Sequence, residues 1–277
     1  MFEQYIPSWT SNHNTNQSLD QFWTDYWDGS STADLLLDIG RSDYKPIIDR
    51  GTAEAEVVLE GGCGLGQWVV YLATKGLTVH GLDISERSLR GLRKAYSGLS
   101  LQVGDVVHLP FPDNIIDVYI SLGVIEHFQD HMEQAVEEAH RVLKSTGRFL
   151  VSVPYMNIFK RVISSPYPRL FVRGRTEAVQ FQFFQYVLSK DEFMHLLQNC
   201  GFKVESVHFC GRSLGLEFTV PRLLEWEKLE RQQRSRQVVS GVPLLSLMRG
   251  FYKAALRTIP HSWCANMIMA ICQKMDV

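Results

Sequence analysis

The chain lacks several features that would commit it to a class at once. Its 28 Lys and Arg against 30 Asp and Glu leave a net charge of −2, so no global basic excess points to nucleic acid or to an anionic membrane. Its five cysteines, Cys63, Cys200, Cys210, Cys264 and Cys272, form no C-x-x-C pair and no ligand cluster. Reduced thiols, no metal and a cytoplasmic setting are therefore expected. No apolar run approaches the ~20 residues that span a bilayer. The opening Met1-Phe2-Glu3-Gln4-Tyr5 has no basic segment followed by an apolar one, so no leader peptide is read there. No internal repeat is visible. Hydrophobic content of 45% in 277 residues does suffice for one large core or two small ones.

The stretch Val57-Val58-Leu59-Glu60-Gly61-Gly62-Cys63-Gly64-Leu65-Gly66-Gln67 organises the rest. Its apolar residues read as a buried strand that Glu60 ends, and the glycines turn the chain into a helical pattern from Trp68 to Leu72. Glycines at such a turn let backbone approach a ligand that a Cβ would repel, and the helix N-terminus behind them presents unpaired N–H groups. The spacing is E-x-G-x-G-x-G. A dinucleotide G-x-G-x-x-G would need glycine at 67, where the chain has Gln67.

After this loop, strand and helix patterns alternate, which predicts a parallel sheet with helices on both faces. Strands are expected at 56–60, 78–82, 99–103, 116–120, 148–153 and 202–207. A last, seventh strand is expected within the apolar run from Trp263 to Cys272. Helices should follow Gly66, Ser85, Asp130 and Ser189, the last through the capping box Ser189-Lys190-Asp191-Glu192. Gly76, Gly98 and Gly201 are placed as helix stops. Before the first strand, Ser18 or Asp20 could cap a helix carrying Phe22, Trp23, Tyr26 and Trp27 at i, i+4 spacing. Those aromatics either pack that helix on the domain or form a lid, with Tyr5, Trp9 and Tyr26 as candidate lid residues.

Asp83, at the end of the second strand, can accept hydrogen bonds from both hydroxyls of a ribose. Ile84 beside it is placed against a base. Gly104-Asp105-Val106 ends the third strand, a further point where ligands gather in open α/β sheets. With the stretch Leu109-Pro110-Phe111-Pro112-Asp113-Asn114-Ile115-Ile116-Asp117, these motifs occur in an order that resembles class I S-adenosylmethionine-dependent methyltransferases, especially the small-molecule group that includes enzymes of quinone biosynthesis. Ile116 stands where that group usually has Phe. The resemblance covers about residues 56–153, and the order of elements extends it to 211. It implies an α/β, Rossmann-like seven-stranded mostly parallel sheet, with an N-terminal helical cap over 1–50, a methyltransferase domain over 51–277, and insertions at 154–188 and 212–262 that cover the acceptor side.

The resemblance further implies S-adenosylmethionine as cofactor. Glu60, Gly61, Gly62, Cys63, Gly64, Gly66 and the backbone near Leu122 would lie at its methionine portion. Asp83 would hold the ribose and Asp105 the adenine amino group, with Ile84, Gly104 and Val106 around the ring. After the fourth strand, His127 is a candidate general base, or else fixes the loop or helps hold the cofactor, and Glu126 is read as orienting the loop. No Asn- or Asp-Pro-Pro-Tyr follows that strand, so the amino-methylating nucleic-acid pattern is missing. Tyr155 could line an acceptor pocket or make a turn contact. The expected reaction is in-line methyl transfer to oxygen or carbon of a small molecule, helped by alignment and desolvation.

The first insertion mixes aromatic residues with Lys160, Arg161, Arg169, Arg173 and Arg175, giving either a satellite core with a basic face or a pocket wall for an apolar or anionic acceptor. Residues 242–257 have the composition of an interfacial helix, which would allow peripheral membrane contact and a lipid-linked acceptor, although ordinary packing or a dimer contact fits too. The competing functions are a non-catalytic S-adenosylmethionine-binding protein and an NAD-dependent oxidoreductase.

Overall fold

The computed structural model describes residues 1–7, 23, 26–27, 29–164, 181–212 and 258–275. Seven strands form one sheet: Val57–Gly61 (β2), Thr78–Asp83 (β3), Ser100–Val103 (β4), Ile116–Leu122 (β5), Leu143–Pro154 (β6), Phe202–Arg212 (β8) and Ala265–Lys274 (β9). Their order is β4-β3-β2-β5-β6-β9-β8, and β2 pairs in parallel with both β3 and β5. Strand order therefore reverses between β2 and β5. In an open parallel sheet the two connections leave that point in opposite directions, which opens a crevice at the strands' carboxyl ends. Val58, Leu59, Ile120, Phe149 and Leu150 are fully buried in the sheet's core.

The helices between the strands are Gln67–Thr74 (α3), Glu86–Ala95 (α4) and Met132–Val142 (α5), preceded by Thr32–Asp38 (α1) and Lys45–Gly51 (α2). Lys190–Asn199 (α7) follows further on. Their ends obey local chemistry. Ser85 accepts the Ser88 N–H at the start of α4, and α7 opens with the full Ser189/Glu192 capping box. Gly76, Gly98 and Gly201 all have positive φ after their helices, as the stop positions require.

The segment before β5 is clamped by one side chain. Arg141 donates to the carbonyls of Leu109 and Phe111 at 2.9 and 2.8 Å and pairs with Glu138, which in turn accepts the Leu109 N–H. That clamp holds the Leu-Pro-Phe-Pro stretch on α5. Asp117 ties β5 to the start of β2 through the N–H groups of Glu56 and Val57.

Several boundaries differ from expectation. The segment 1–50 is not purely a helical cap: Phe2–Pro7 is a strand (β1) that pairs antiparallel with Phe181–Val187 (β7), Tyr5 opposite Phe183. Segment 154–188 thus supplies a strand as well as the short helix Ile158–Ser164 (α6). The sixth expected strand continues to Arg212 and the fifth begins at Leu143, directly after α5. Asp130 does not open a helix; His131 precedes its first residue, Met132, without a side-chain cap bond. The last strand starts at Ala265, because His261–Cys264 (α8) forms a helical turn after Pro260. Trp9, Ser18, Asp20, Phe22 and residues 165–180 and 213–257, including the run 242–257, lie outside the described residues.

By its contacts the chain divides into two compact units, Met1–Pro154 with Glu177–His208 and Ile268–Val277, and Tyr155–Thr176 with Phe209–Met267. Within the second, the Tyr155 N–H donates to Asn266, Asn157 donates to Ala265, and the Tyr155 ring packs on Phe209 at 5.1 Å. Among the described residues, no helix is long and apolar enough to cross a membrane.

Candidate cofactor and acceptor cleft

A cleft of about 600 Å³, counted out to its open mouth, lies in the first unit where strand order reverses. Its walls come from the ends of β2, β3, β4 and β5: Gly62, Asp83 with Ile84, Gly104 to Val106, and Leu122 to Val124. His127, Phe128, Trp23 and Trp27 complete it. No lysine or arginine is among these lining residues.

The loop after β2 is shaped by its own backbone. Gly62 and Cys63 both donate their N–H to the carbonyl of Leu82, which bends the chain back against β3. Gly62, Gly64 and Gly66 all have positive φ, a conformation costly for any residue with a Cβ. A Cβ on Gly62 would run into Val124, and one on Gly64 would lie 2.9 Å from Cζ2 of Trp27. The Thr32 hydroxyl donates to the Leu65 carbonyl at 2.7 Å, holding α1 to the same loop.

Asp83 is 7% exposed and accepts two backbone N–H groups, Gly64 on Oδ2 at 2.7 Å and Ser85 on Oδ1 at 2.8 Å. An ionised carboxylate has about four lone-pair positions, so one Asp83 side chain can hold several donors at once. Asp105 is half-buried, with Oδ1 taking the Val107 N–H at 3.1 Å. Glu60 sits behind the loop, 3% exposed, and its Oε2 has no hydrogen-bond partner among the described residues. Burial, with the Asp83 charge adding to it, pushes the Glu60 carboxyl well above its ordinary value.

These acids match a ligand that donates hydrogen bonds and carries positive charge. S-adenosylmethionine brings a ribose diol, an adenine amine, an ammonium and a sulfonium, which supply such donors and charge. The orphaned Glu60 oxygen, and Gly62 at the cleft wall, also fit a ligand lying on the loop.

On the other side, the His127 ring stands edge-on to Trp23 at 4.8 Å and to Phe184 at 5.1 Å. Its Nδ1 is 2.7 Å from the Phe184 carbonyl. A carbonyl only accepts, so Nδ1 carries the proton and Nε2 is left with a lone pair. Burial lowers the His127 pKa to about 4, and burial of the neighbouring Glu126 raises its carboxyl to about 8.

These two shifts make stability depend on pH. Glu126 ordinarily titrates near 4.5, so above that pH the unfolded chain has lost a proton that the folded chain keeps until about 8. Its contribution is complete below the unfolded value and is lost as pH rises to about 8. His127 acts oppositely, its stabilisation being lost as pH falls from about 6.5 to about 4. The unfolding free energy should therefore fall between about pH 6.5 and 8, where Glu126 acts alone of the two, by up to about 1.4 kcal/mol per pH unit. Urea midpoints across that window should show a shallower slope in Glu126→Gln, with the share due to Glu60 remaining.

Of the residues picked out from sequence, Gly62, Asp83, Ile84, Gly104, Asp105, Val106, Leu122 and His127 line the cleft. Glu60, Gly61, Cys63, Gly64 and Gly66 are not among the lining residues: Glu60 and Gly61 end β2, and the other three belong to the buried loop after it. Gly61 leaves room for the Tyr119 hydroxyl. Tyr26 does not line the cleft: it is 58% exposed, its ring set edge-on against Trp23 and Trp27. Trp23 and Trp27 take the place expected for it. Tyr155 is likewise not a lining residue. Val124 and Phe128 join the lining without any mark in the sequence; they sit on the turn that carries His127, and no residue type singles them out.

A crevice of this kind, with a glycine loop after the first core strand and acids ending the next two, is the arrangement that the resemblance to class I S-adenosylmethionine-dependent methyltransferases implies. Residues 59–151 match the family model described as a methyltransferase domain. It is 36% identical over 148 residues to a Mycolicibacterium smegmatis protein named "Probable S-adenosylmethionine-dependent methyltransferase", covering 53% of this chain and 52% of that one. It is 35% identical over 146 residues to the mitochondrial 2-methoxy-6-polyprenyl-1,4-benzoquinol methylase of Xenopus laevis, covering 46% of each. The chain thus spans about half the length of these curated relatives. The crystal structure of a S-adenosylmethionine-dependent methyltransferase from Archaeoglobus fulgidus shares the fold, with a TM-score of 0.55 at 14% identity over 93% of this chain and 100% of that one. The domain match and these relatives support S-adenosylmethionine as the cofactor rather than NAD.

Proposed function

We propose that this protein transfers a methyl group from S-adenosylmethionine to oxygen or carbon of a small-molecule acceptor. The observation that carries the reading is the cleft itself: two carboxylates from successive strand ends on one side, and an aromatic wall with a lone-pair nitrogen on the other. When bound, the cofactor supplies a methyl group already activated by its sulfonium. Asp83 would hold the ribose, Asp105 the adenine amine, and Ile84 and Val106 the faces of the base. Glu60 and the glycine loop would receive the methionine portion beside Leu122.

The residues of this chain then have three tasks: to align the acceptor, to exclude water, and to take up a proton. Trp23, Trp27 and Phe128 provide the apolar wall for the first two. His127, with Nε2 unprotonated, is the group for the third. The wall favours an acceptor with a flat apolar portion, and the Xenopus relative, named for a polyprenyl-benzoquinol, supports a ring-bearing and even lipid-linked one. The sequence of 242–257 would allow such an acceptor to be met at a membrane surface.

Calorimetric titration tests the cofactor half of the proposal. S-adenosylhomocysteine is expected to bind one site per chain with a micromolar or lower Kd, and NAD not to bind up to 1 mM by the same measurement, on the order of a 1,000-fold preference or about 4 kcal/mol. Preference for NAD, or no binding of either ligand, would sink it. Label from the cofactor's methyl group appearing in an added phenolic or quinol acceptor would separate an enzyme from a protein that only binds.

A further inference from the structure

One buried acid, next in the chain to the cleft residue His127, has no task so far. Glu126 is 1% exposed, and its Oε2 has no hydrogen-bond partner among the described residues. Its other oxygen, Oε1, stands 4.0 Å from Nε2 of His127. That separation is too long for a hydrogen bond, yet short enough for the charge on either group to govern the other. The imidazole is held in place: Nδ1 bonds the Phe184 carbonyl, and the rings of Trp23 and Phe184 flank it. The nitrogen with the free lone pair is therefore the one that lies near Glu126.

We propose that Glu126 is a positioning residue for His127, whose carboxylate makes Nε2 basic enough to accept the proton that the methyl acceptor gives up. This rests on the methyl-transfer reading above. The proton balance is simple. Glu126 first loses its proton to solvent, leaving a carboxylate beside a neutral imidazole. The acceptor's O–H or C–H bond then breaks, its proton goes to Nε2, and its electron pair stays on the acceptor atom. The imidazolium and carboxylate that result are together neutral. Without the carboxylate, the same proton would create an unpaired buried cation, which burial strongly disfavours.

The surroundings leave this coupling undisturbed. The turn Ile125–His127 packs against β7, α5 and β6. The ionisable side chain of β7 is Tyr186, whose hydroxyl donates to the Gln129 carbonyl at 2.7 Å. Asp130, His131, Glu133 and Glu137 at and on α5 are exposed. The other charges are engaged elsewhere: Glu138 with Arg141, Lys144 with Asp117, and Arg148 with Glu205. His140 meets the Met275 carbonyl. None of these groups shares a hydrogen bond or ion pair with Glu126 or His127 among the described residues.

The test reads the pair directly and needs no acceptor. Protein labelled with ¹⁵N at histidine and saturated with S-adenosylhomocysteine is titrated by NMR from pH 5.5 to 9.5, with the His127 signals assigned from a His127→Gln sample. The expected spectrum has Nδ1 protonated and Nε2 unprotonated, and the Nε2 shift moves in a step centred near pH 8, where burial places the Glu126 carboxyl. Glu126→Gln should remove the step while changing S-adenosylhomocysteine affinity less than about twofold, a readout that a merely structural role would not give. Glu126→Asp, which keeps the charge on a shorter arm, should keep a step at a displaced midpoint. His127 signals that stay flat from pH 7 to 9.5 in the wild type, or a step that survives in Glu126→Gln, would overturn the proposal. Should Glu126→Gln not fold, the wild-type titration and Glu126→Asp decide the matter. Failure of the wild type to bind S-adenosylhomocysteine would instead overturn the methyltransferase reading.

Discussion

Asp83→Ala is expected to weaken S-adenosylhomocysteine binding by at least about a hundredfold, some 2.7 kcal/mol. Two effects combine. Hydrogen bonds to a charged acceptor are each worth about 1.5–3 kcal/mol, and the ribose diol would lose them. The same carboxylate also accepts the N–H groups of Gly64 and Ser85, so its removal leaves two loop donors unpaired at 7% exposure. The loop would then be less well formed before any ligand arrives. Asp83→Asn should be nearly as damaging, because the amide replaces one acceptor by a donor that faces another N–H. Thermal unfolding separates the two causes: the variant without ligand should melt lower, and ligand should raise its Tm less than in the wild type. Binding within about threefold of wild type in Asp83→Ala would remove the ribose assignment.

The parts of this site that can be read from sequence are those fixed by local rules. A glycine needing positive φ, an acid ending a strand and a serine capping a helix each act within a few residues. Gly62, Asp83, Asp105 and Ser85 are legible for that reason. The pairing of β1 with β7 is not, since it joins residues 2–7 to residues 181–187 and nothing local to either segment names the other. The packing of β7 on the turn Ile125–His127 also joins distant residues, so the tautomer that Phe184 fixes on the imidazole is hidden too. Trp23 and Trp27 present a subtler case. Their i, i+4 spacing places them on one helical face, but which face meets the cleft is decided by packing; Trp27 covers Gly64, and Tyr26 is left outside. Glu126 illustrates the same limit in energetic terms. Its sequence neighbours suggest an orienting role, whereas complete burial beside His127 is a tertiary fact.

The second large effect expected is on folding, from Gly66→Ala. Gly66 is the residue before α3, with φ +70 and ψ 26, and its carbonyl accepts the Val70 N–H at 3.0 Å. A methyl group there would overlap Cδ2 of Leu92, a side chain that is 1% exposed and cannot swing into solvent. The left-handed conformation costs an alanine about 1 kcal/mol, and overpacking against a buried leucine adds about 1–3 kcal/mol. A loss of about 3 kcal/mol is therefore expected, read as a lower urea midpoint at unchanged slope. Leu92→Ala alone should cost about 3 kcal/mol through the cavity it leaves. Combined, the two substitutions should cost at least about 1 kcal/mol less than their sum, because truncating Leu92 makes room for the new methyl. Simple additivity would show that Leu92 is not the obstruction. The backbone strain has no such remedy: φ at 66 sets the direction in which α3 leaves the glycine loop. Even in the double variant the loop should thus bind S-adenosylhomocysteine less tightly than it does with glycine at 66.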